Sequence, residues 1–413
     1  MSLTSVWTQE SKIFKDETKL YPEYVPETLP HRSEHLLELG RAFKSFVTKP
    51  GSVPTRVVLV GPSGTGKTVT AMKFGKALEG MVRAGRLPVR IHFVIVNCYI
   101  YKTAFAIYKE LARSLGITVP RRGFSKSEVL RLLADYLVKN DEYVILTIDE
   151  ADFLVSSSGA EALYVLSRLS EAHMLDKARI AMIIIFRNPL STLNLSDPIR
   201  STLAHYTIKF DPYTKREIED IIWARVEEGA IYDSAISDEV VDTIGTLVGY
   251  DTGGTGDARL ALEVLLNAGR IAESKNKSCI EVEDVRVAFT MVMPFPRNLL
   301  EYLSLHEALL LYALTLLLGE RKYVNWVTTG VLEETYRALC EDFGIEPKSH
   351  TTIWEYIQRL RNRDIIKTQV STRGRGRTTQ ISMPRVPLGQ LKQELERIIE
   401  QKLKRARRRL SSS

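Results

Sequence analysis

The sequence predicts an α/β protein in three parts: a parallel-sheet domain, a helical segment and a C-terminal winged helix. Three observations predict it. Apolar β-branched runs alternate with helical stretches from residue 56 to about 210, the pattern of a parallel sheet with helices on both faces. Gly61-Pro62-Ser63-Gly64-Thr65-Gly66-Lys67-Thr68 joins the first such strand to the first such helix, as a phosphate-binding loop does. From Leu299 onward the order is helix, helix, helix, hairpin, helix.

Taken along the chain, residues 1 to about 20 are polar and read as a loosely committed lead-in. Tyr21 to Arg32 carries three prolines, Pro22, Pro26 and Pro30, which keep it extended. Ser33 is expected to cap a helix that runs to Phe46. Strands are expected at 56–60, 91–97, 143–148 and 180–186, with a weaker one at 206–210. A helical segment follows from Thr214 to about Ala272, interrupted by a flexible stretch, Asp251-Thr252-Gly253-Gly254-Thr255-Gly256. One more helix and a proline-marked linker, Met293-Pro294-Phe295-Pro296-Arg297, complete it. The domain boundaries this implies are 1–212, 213–297 and 298–413.

In the C-terminal part, Leu303–Leu318, Val331–Phe343 and Thr351–Asn362 are the three helices, with Gly344 as a stop and Ser349 as a cap. A hairpin follows, with strands at 367–372 and 378–383. Its tip, Arg373-Gly374-Arg375-Gly376-Arg377, presents three cations with little bulk between them. Such a tip suits phosphates or a minor groove. The polar start of the third helix, His350-Thr351-Thr352, is placed for a major groove, and Ile353, Tyr356, Ile357 and Leu360 for the core.

Charge supports a nucleic-acid role for this part. The chain has 413 residues and a formal net charge of +7. Residues 298–413 hold 20 Lys+Arg against 13 Asp+Glu, a balance of +7, so the other 297 residues are neutral. Arg121, Arg122 and Lys126 form a smaller basic cluster, which reads equally as a DNA contact or a solvated loop. The run from Lys402 to Arg409 reads equally as a DNA arm or a disordered tail. Cys98, Cys279 and Cys340 are far apart, lie in apolar settings and form no C-x-x-C pair. A reducing, intracellular home is expected. The longest apolar run, Ala308 to Leu318, is too short to span a bilayer.

The phosphate loop fixes the chemistry. Its glycines let backbone N–H groups close around the β- and γ-phosphates, with Val69 opening the helix behind them. Lys67 supplies a point charge, and the Thr68 hydroxyl suits Mg²⁺. Val144-Ile145-Leu146-Thr147-Ile148 ends in Asp149-Glu150. Asp149 is the expected second Mg²⁺ ligand, and Glu150 the base that orients and deprotonates water.

Several phrases resemble the AAA+ ATPases, and within them the archaeal origin-recognition and cell-division-cycle initiators. They are Val25-Pro26 with Pro30-His31-Arg32, Asn97-Cys98-Tyr99-Ile100-Tyr101-Lys102-Thr103, Gly256-Asp257-Ala258-Arg259-Leu260-Ala261-Leu262 and His306-Glu307-Ala308-Leu309-Leu310-Leu311. The resemblance covers about residues 20 to 385. It implies that ATP or ADP is bound with Mg²⁺, and that Val25, Pro26 and Arg32 cradle the adenine side. Asn188 would be the sensor that positions the lytic water, and Arg259 the sensor that reaches from a helical lid. The insertion Val119 to Ser125 resembles the initiator-specific motif. Implied partners are double-stranded origin DNA, a replicative helicase and paralogous initiator subunits. One departure stands out: Asp197-Pro198-Ile199-Arg200 is one residue short of the phrase near the family's arginine-finger region, so either Arg200 replaces the missing cation or trans-activation of a neighbour is weakened.

The function this implies is an ATP-switched, origin-binding replication initiator that hydrolyses ATP slowly. Two other classes fit the same residues: a remodelling ATPase of the transposition-regulator or clamp-loader type, and a transcription regulator that holds ATP structurally. DNA-stimulated turnover with ring assembly favours the first, and promoter sites the second.

Overall fold

The structure, a computed structural model, describes residues 10–410 except 88, 121–122, 169–174, 194, 204–205, 294–299, 301, 320–325, 364, 372–377 and 384–387. Two compact units emerge. One is Leu29–Asp211; the other joins Met1–Thr28 to Pro212–Ser413.

The first unit runs α1 (Ser33–Thr48), β1 (Arg56–Val60), α2 (Lys67–Arg83), β2 (Arg90–Asn97), α3 (Ala104–Ser114), α4 (Lys126–Asn140) and β3 (Glu142–Asp149). It continues through α5 (Ala151–Ser158), α6 (Glu161–Ser167), β4 (Ile180–Phe186), α7 (Asp197–Leu203) and β5 (Thr207–Lys209). The strands form one parallel sheet in the order β2-β3-β4-β1-β5. Side chains alternate across it: Val58, Val60, Leu146, Ile148 and Ile184 enter one core, and Val57, Leu59, Ile145, Ile183 and Ile185 the other. All eight residues of β3 are buried. That accounts for its largely apolar stretch from Tyr143 to Ile148, as helices cover both faces.

The second unit holds a helical domain of α8 (Lys215–Glu227), α9 (Asp238–Val248), α10 (Ala258–Ser274) and α11 (Val282–Val292). A winged helix follows: α12 (Leu305–Gly319), β6 (Val327–Thr328), α13 (Thr329–Asp342), α14 (His350–Asn362), β7 (Lys367–Ser371) and β8 (Thr378–Ser382). Its sheet is ordered β6-β8-β7, with β7 and β8 antiparallel. The last helix, α15 (Leu388–Leu410), buries Leu391, Leu395, Ile398 and Ile399 in the winged-helix core. Ile353, Ile357 and Leu360 are buried there too, with Tyr356 packed against them. Ser349 caps α14 by accepting from the Thr352 N–H, and Gly344 ends the preceding turn at φ +66°.

Four local expectations are corrected. Residues 13, 14 and 20 are not part of a loose lead-in: Ile13, Phe14 and Leu20 are buried in the helical domain's core, because that core presents an apolar socket floored by Gly269. Ser33 does not cap α1. Arg32 holds the cap position and makes no side-chain cap bond, its guanidinium being engaged elsewhere. The stretch 251–256 is tied rather than flexible. Gly256 N–H donates to Val248, Tyr213 N–H to Gly256, and Gly389 N–H to Gly253. Its glycines answer close packing: a Cβ on Gly256 would lie 2.6 Å from the Pro212 Cβ. Cys279 is exposed, whereas Cys98 and Cys340 are buried.

Candidate nucleotide site

Sheet order brings the chemistry together. Asp149 ends β3, Phe186 ends β4, and Gly61 follows β1, and these three strands are adjacent. Ligands of open parallel sheets bind beyond such carboxyl ends.

The loop Gly61 to Thr68 is a backbone cradle. Gly64 and Gly66 sit at φ +74° and +90°, the positive-φ geometry from which anion-binding backbone nests are made. The Thr65 hydroxyl donates to the Pro62 carbonyl at 2.9 Å. Lys67 is 6% exposed, and its ammonium donates to the Gly61 carbonyl at 2.7 Å and the Pro62 carbonyl at 2.5 Å. Pro62, Ser63 and Val69 are half-buried around it. Arg32 braces the loop: it is buried, and donates to the Thr65 carbonyl at 2.9 Å and the Asp211 carbonyl at 3.0 Å.

Thr68 Oγ1 donates to Asp149 Oδ2 at 3.0 Å. Two hard oxygens this close suit Mg²⁺. The acid pair then diverges. Glu150 adopts a left-handed φ of +53°, and its N–H donates to Asp149 Oδ1 at 2.8 Å. Its carboxylate is paired with the Arg187 guanidinium. Arg187 also lies over the Phe153 ring, 5.3 Å from its centroid. The first turn of α5 reaches back: Asp152 accepts from the Arg187 N–H at 2.7 Å and from the Asn188 side-chain amide at 3.4 Å. Burial pushes the Asp152 carboxyl above the usual range. Burial, and then the charges of Asp149, Glu150 and Asp152, push the Cys98 thiol up to about 12, so it is inert.

The structure therefore gathers Gly61–Val69, Arg32, Asp149, Glu150 and Asn188 in one unit. Val25, Pro26 and Arg259 belong to the other. There, Asp257 caps α10, its Oδ1 accepting from the Arg259 N–H at 2.9 Å and the Leu260 N–H at 3.3 Å. Arg200 turns back on its own segment, donating to Leu195 O at 3.1 Å and Asp197 Oδ1 at 3.3 Å. Sequence reasoning missed Asp152, and gave Arg187 no role; an acid two residues beyond Glu150, opposite a strand ending in Arg-Asn, was the available signal.

Of the expected DNA contacts, Lys126 is exposed at the start of α4. His350 and Thr351 are exposed, Thr352 half-buried. The His350 ring meets Glu333 Oε2 at 2.5 Å. Burial raises the Glu333 pKa, but the bonds from Arg337 and His350 outweigh it and leave the carboxyl below the usual range. Arg121, Arg122, Arg373, Gly374, Arg375 and Arg377 lie outside the described residues.

These features define an AAA+ ATPase joined to a winged helix, and comparison with known proteins agrees. Family models match at 54–193 (AAA domain), 219–290 (Cdc6 AAA+ ATPase-type lid domain) and 298–388 (CDC6, C terminal winged helix domain). An ORC1-type DNA replication protein 2 of Saccharolobus solfataricus is 37% identical over 90% of each chain. The crystal structure of Cdc6p from Pyrobaculum aerophilum matches with TM-score 0.63 and 34% identity, covering 95% of this chain and 100% of that one. The Aeropyrum pernix ORC1 protein, solved in complex with DNA, matches with TM-score 0.62 and 29% identity over 94% and 98%. The chain belongs to the ORC1/Cdc6-type family of DNA replication initiators and is an ATPase of the AAA+ class. Among the described residues no helix is long and apolar enough to cross a membrane.

Proposed function

We propose that this protein is an ATP-switched initiator that binds double-stranded origin DNA in the cytoplasm, at the nucleoid, and helps to recruit a replicative helicase beside paralogous subunits. The observation that carries the reading is the 3.0 Å contact between Thr68 and Asp149, with Glu150 and Asn188 alongside, in a chain that also has a winged helix. The loop Gly61–Val69 holds the phosphates of ATP or ADP; Thr68 and Asp149 hold Mg²⁺, which neutralises developing charge. Glu150 takes the proton of the attacking water, and Asn188 orients that water. Val25 and Pro26 line the adenine, and Arg259 reports the γ-phosphate from the lid. His350, Thr351 and Thr352 face the major groove, with Arg373, Gly374, Arg375 and Arg377 at the wing. Arg121, Arg122 and Lys126 add a second contact. That the Aeropyrum pernix relative was solved on DNA supports this part of the reading.

The test is a pair of variants in the full chain. Lys67→Ala abolishes ATP binding. Glu150→Gln keeps ATP binding and slows turnover by about 10²–10⁴-fold, the usual share of a positioned base. Wild-type turnover by Glu150→Gln sinks the assignment of the base.

A further inference from the structure

The segment that precedes the ATPase unit is fastened to the helical domain. Phe14 seats its ring on Gly269 of α10, where an added Cβ would lie 2.3 Å from Cζ. Ile13 O accepts from the Tyr232 N–H at 3.0 Å, and Ala230 O accepts from the Lys15 and Asp16 N–H groups at 3.2 Å. The chain then closes around a single carboxylate, Glu228, at the end of α8.

Both Glu228 oxygens are engaged. Oε2 accepts from the Tyr24 phenol at 3.0 Å; Oε1 accepts from the Glu27 N–H at 2.9 Å and the Thr28 N–H at 3.2 Å. The Glu228 side chain is only 12% exposed, and Arg225 balances its charge at 3.5 Å. The Arg225 guanidinium in turn covers the Tyr24 ring, 5.2 Å from its centroid. Burial, and then the Glu228 bond, raise the Tyr24 pKa, so the phenol stays a donor. These bonds fall on Tyr24, Glu27 and Thr28, and so bracket Val25 and Pro26, of which Pro26 is buried. Charge-assisted bonds to a screened carboxylate are the strong kind.

We propose that Glu228 is the positioning residue for the base-contacting segment: it holds Val25–Pro26 in shape and makes that segment part of the body that carries Arg259. Base recognition is thereby built on the lid's body. The proposal rests on the reading that Val25 and Pro26 line the adenine.

The experiment is equilibrium binding of ATP, GTP and inorganic tripolyphosphate to the full chain. Glu228→Ala lowers ATP affinity about tenfold to a hundredfold, the range for bonds to a charged group. It moves the ATP-to-GTP ratio toward one and leaves tripolyphosphate affinity at the wild-type value, a split that general loss of structure does not produce. Tyr24→Phe, which removes one of the three bonds and keeps Arg225 paired, gives the same split with a smaller change, and decides the matter if Glu228→Ala fails to fold. Val25→Asp separates the two ideas. If Val25→Asp loses base selectivity while Glu228→Ala and Tyr24→Phe retain it, the role of Glu228 is overturned. If Val25→Asp itself retains wild-type selectivity, the adenine reading fails and the proposal fails with it. An equal loss of tripolyphosphate binding in Tyr24→Phe also overturns it.

Discussion

Gly61→Ala tests the phosphate loop through packing alone. A Cβ built on Gly61 would lie 2.1 Å from the Phe210 carbonyl oxygen and 3.0 Å from the Phe210 carbonyl carbon and Cβ. Ordinary contact needs about 3.5 Å, so about 1.4 Å of relief is required. The obstacle is backbone, and that backbone is fixed: the Phe210 N–H donates to the Val60 carbonyl at 2.8 Å. The Phe210 ring is fully buried, with Arg32 over it at 5.5 Å and His35 beside it at 4.4 Å. Displacing Phe210 therefore disturbs Arg32, which braces Thr65. Overpacking costs about 1–3 kcal/mol, and a rigid obstacle places this case near about 3. For a unit of this size, about 2–4 °C is lost per kcal/mol, or about 6–12 °C in all. The assay is thermal unfolding of the full chain with and without ATP, followed by ATP titration. A melting temperature within about 2 °C of wild type, with unchanged ATP affinity, refutes the packing argument.

Three further outcomes are expected. Asp257→Ala removes the acceptor for two N–H groups of α10 and costs about 1–2 kcal/mol, read by denaturant unfolding. Replacing Arg373, Arg375 and Arg377 singly by Ala lowers the slope of log K against log salt by about 0.9 for each lost phosphate contact, whereas an unchanged slope removes the wing from the interface. His306 meets the Tyr336 phenol at 2.7 Å, and burial, then the Lys348 charge, holds its pKa below the usual 6.5. The unfolded chain thus binds more protons in that window, so this contribution to stability is present above pH 6.5 and is lost as pH falls through the lowered folded value. His306→Gln flattens the fall in melting temperature on acidification, measured from pH 7 to pH 5.

Much of the fold was legible because its signals are local. β1 and β4 were expected at 56–60 and 180–186, and those are their bounds. The cap at Ser349 was legible because a short oxygen side chain serves the nearest N–H groups. What was hidden depends on distant partners. Ile13 and Phe14 form a two-residue apolar island with no period, and only Gly269 and the rest of the helical core show what they bury against. Ser33 looked like a cap because the residue type is right; the position went to Arg32, whose side chain serves Thr65 and Asp211. The glycines at 253–256 read as slack and turned out to be close contacts. At the candidate site, Asp149 and Glu150 could be proposed from an apolar strand ending in two acids, but the pairing of Glu150 with Arg187 joins residues 37 apart and follows only from strand order.

That strand order is also what shapes the candidate nucleotide site. A left-handed φ at a glutamate costs about 1–2 kcal/mol, so neighbours must hold Glu150 there. The bond from its own N–H to Asp149, the Arg187 pair, and the grip of Asp152 on the Arg187 and Asn188 backbones supply that restraint. They come from the end of β3, the tip of β4 and the first turn of α5, and the β4 contacts are possible only because β3 and β4 are direct neighbours. β1 lies on the far side of β4, so the loop carrying Thr68 leaves the sheet within reach of Asp149. Residues 68, 149 and 188 converge because β1, β4 and β3 stand side by side in a sheet whose chain order is different. The glutamate held at this left-handed φ is the residue proposed as the base, and strain of this kind clusters at functional sites.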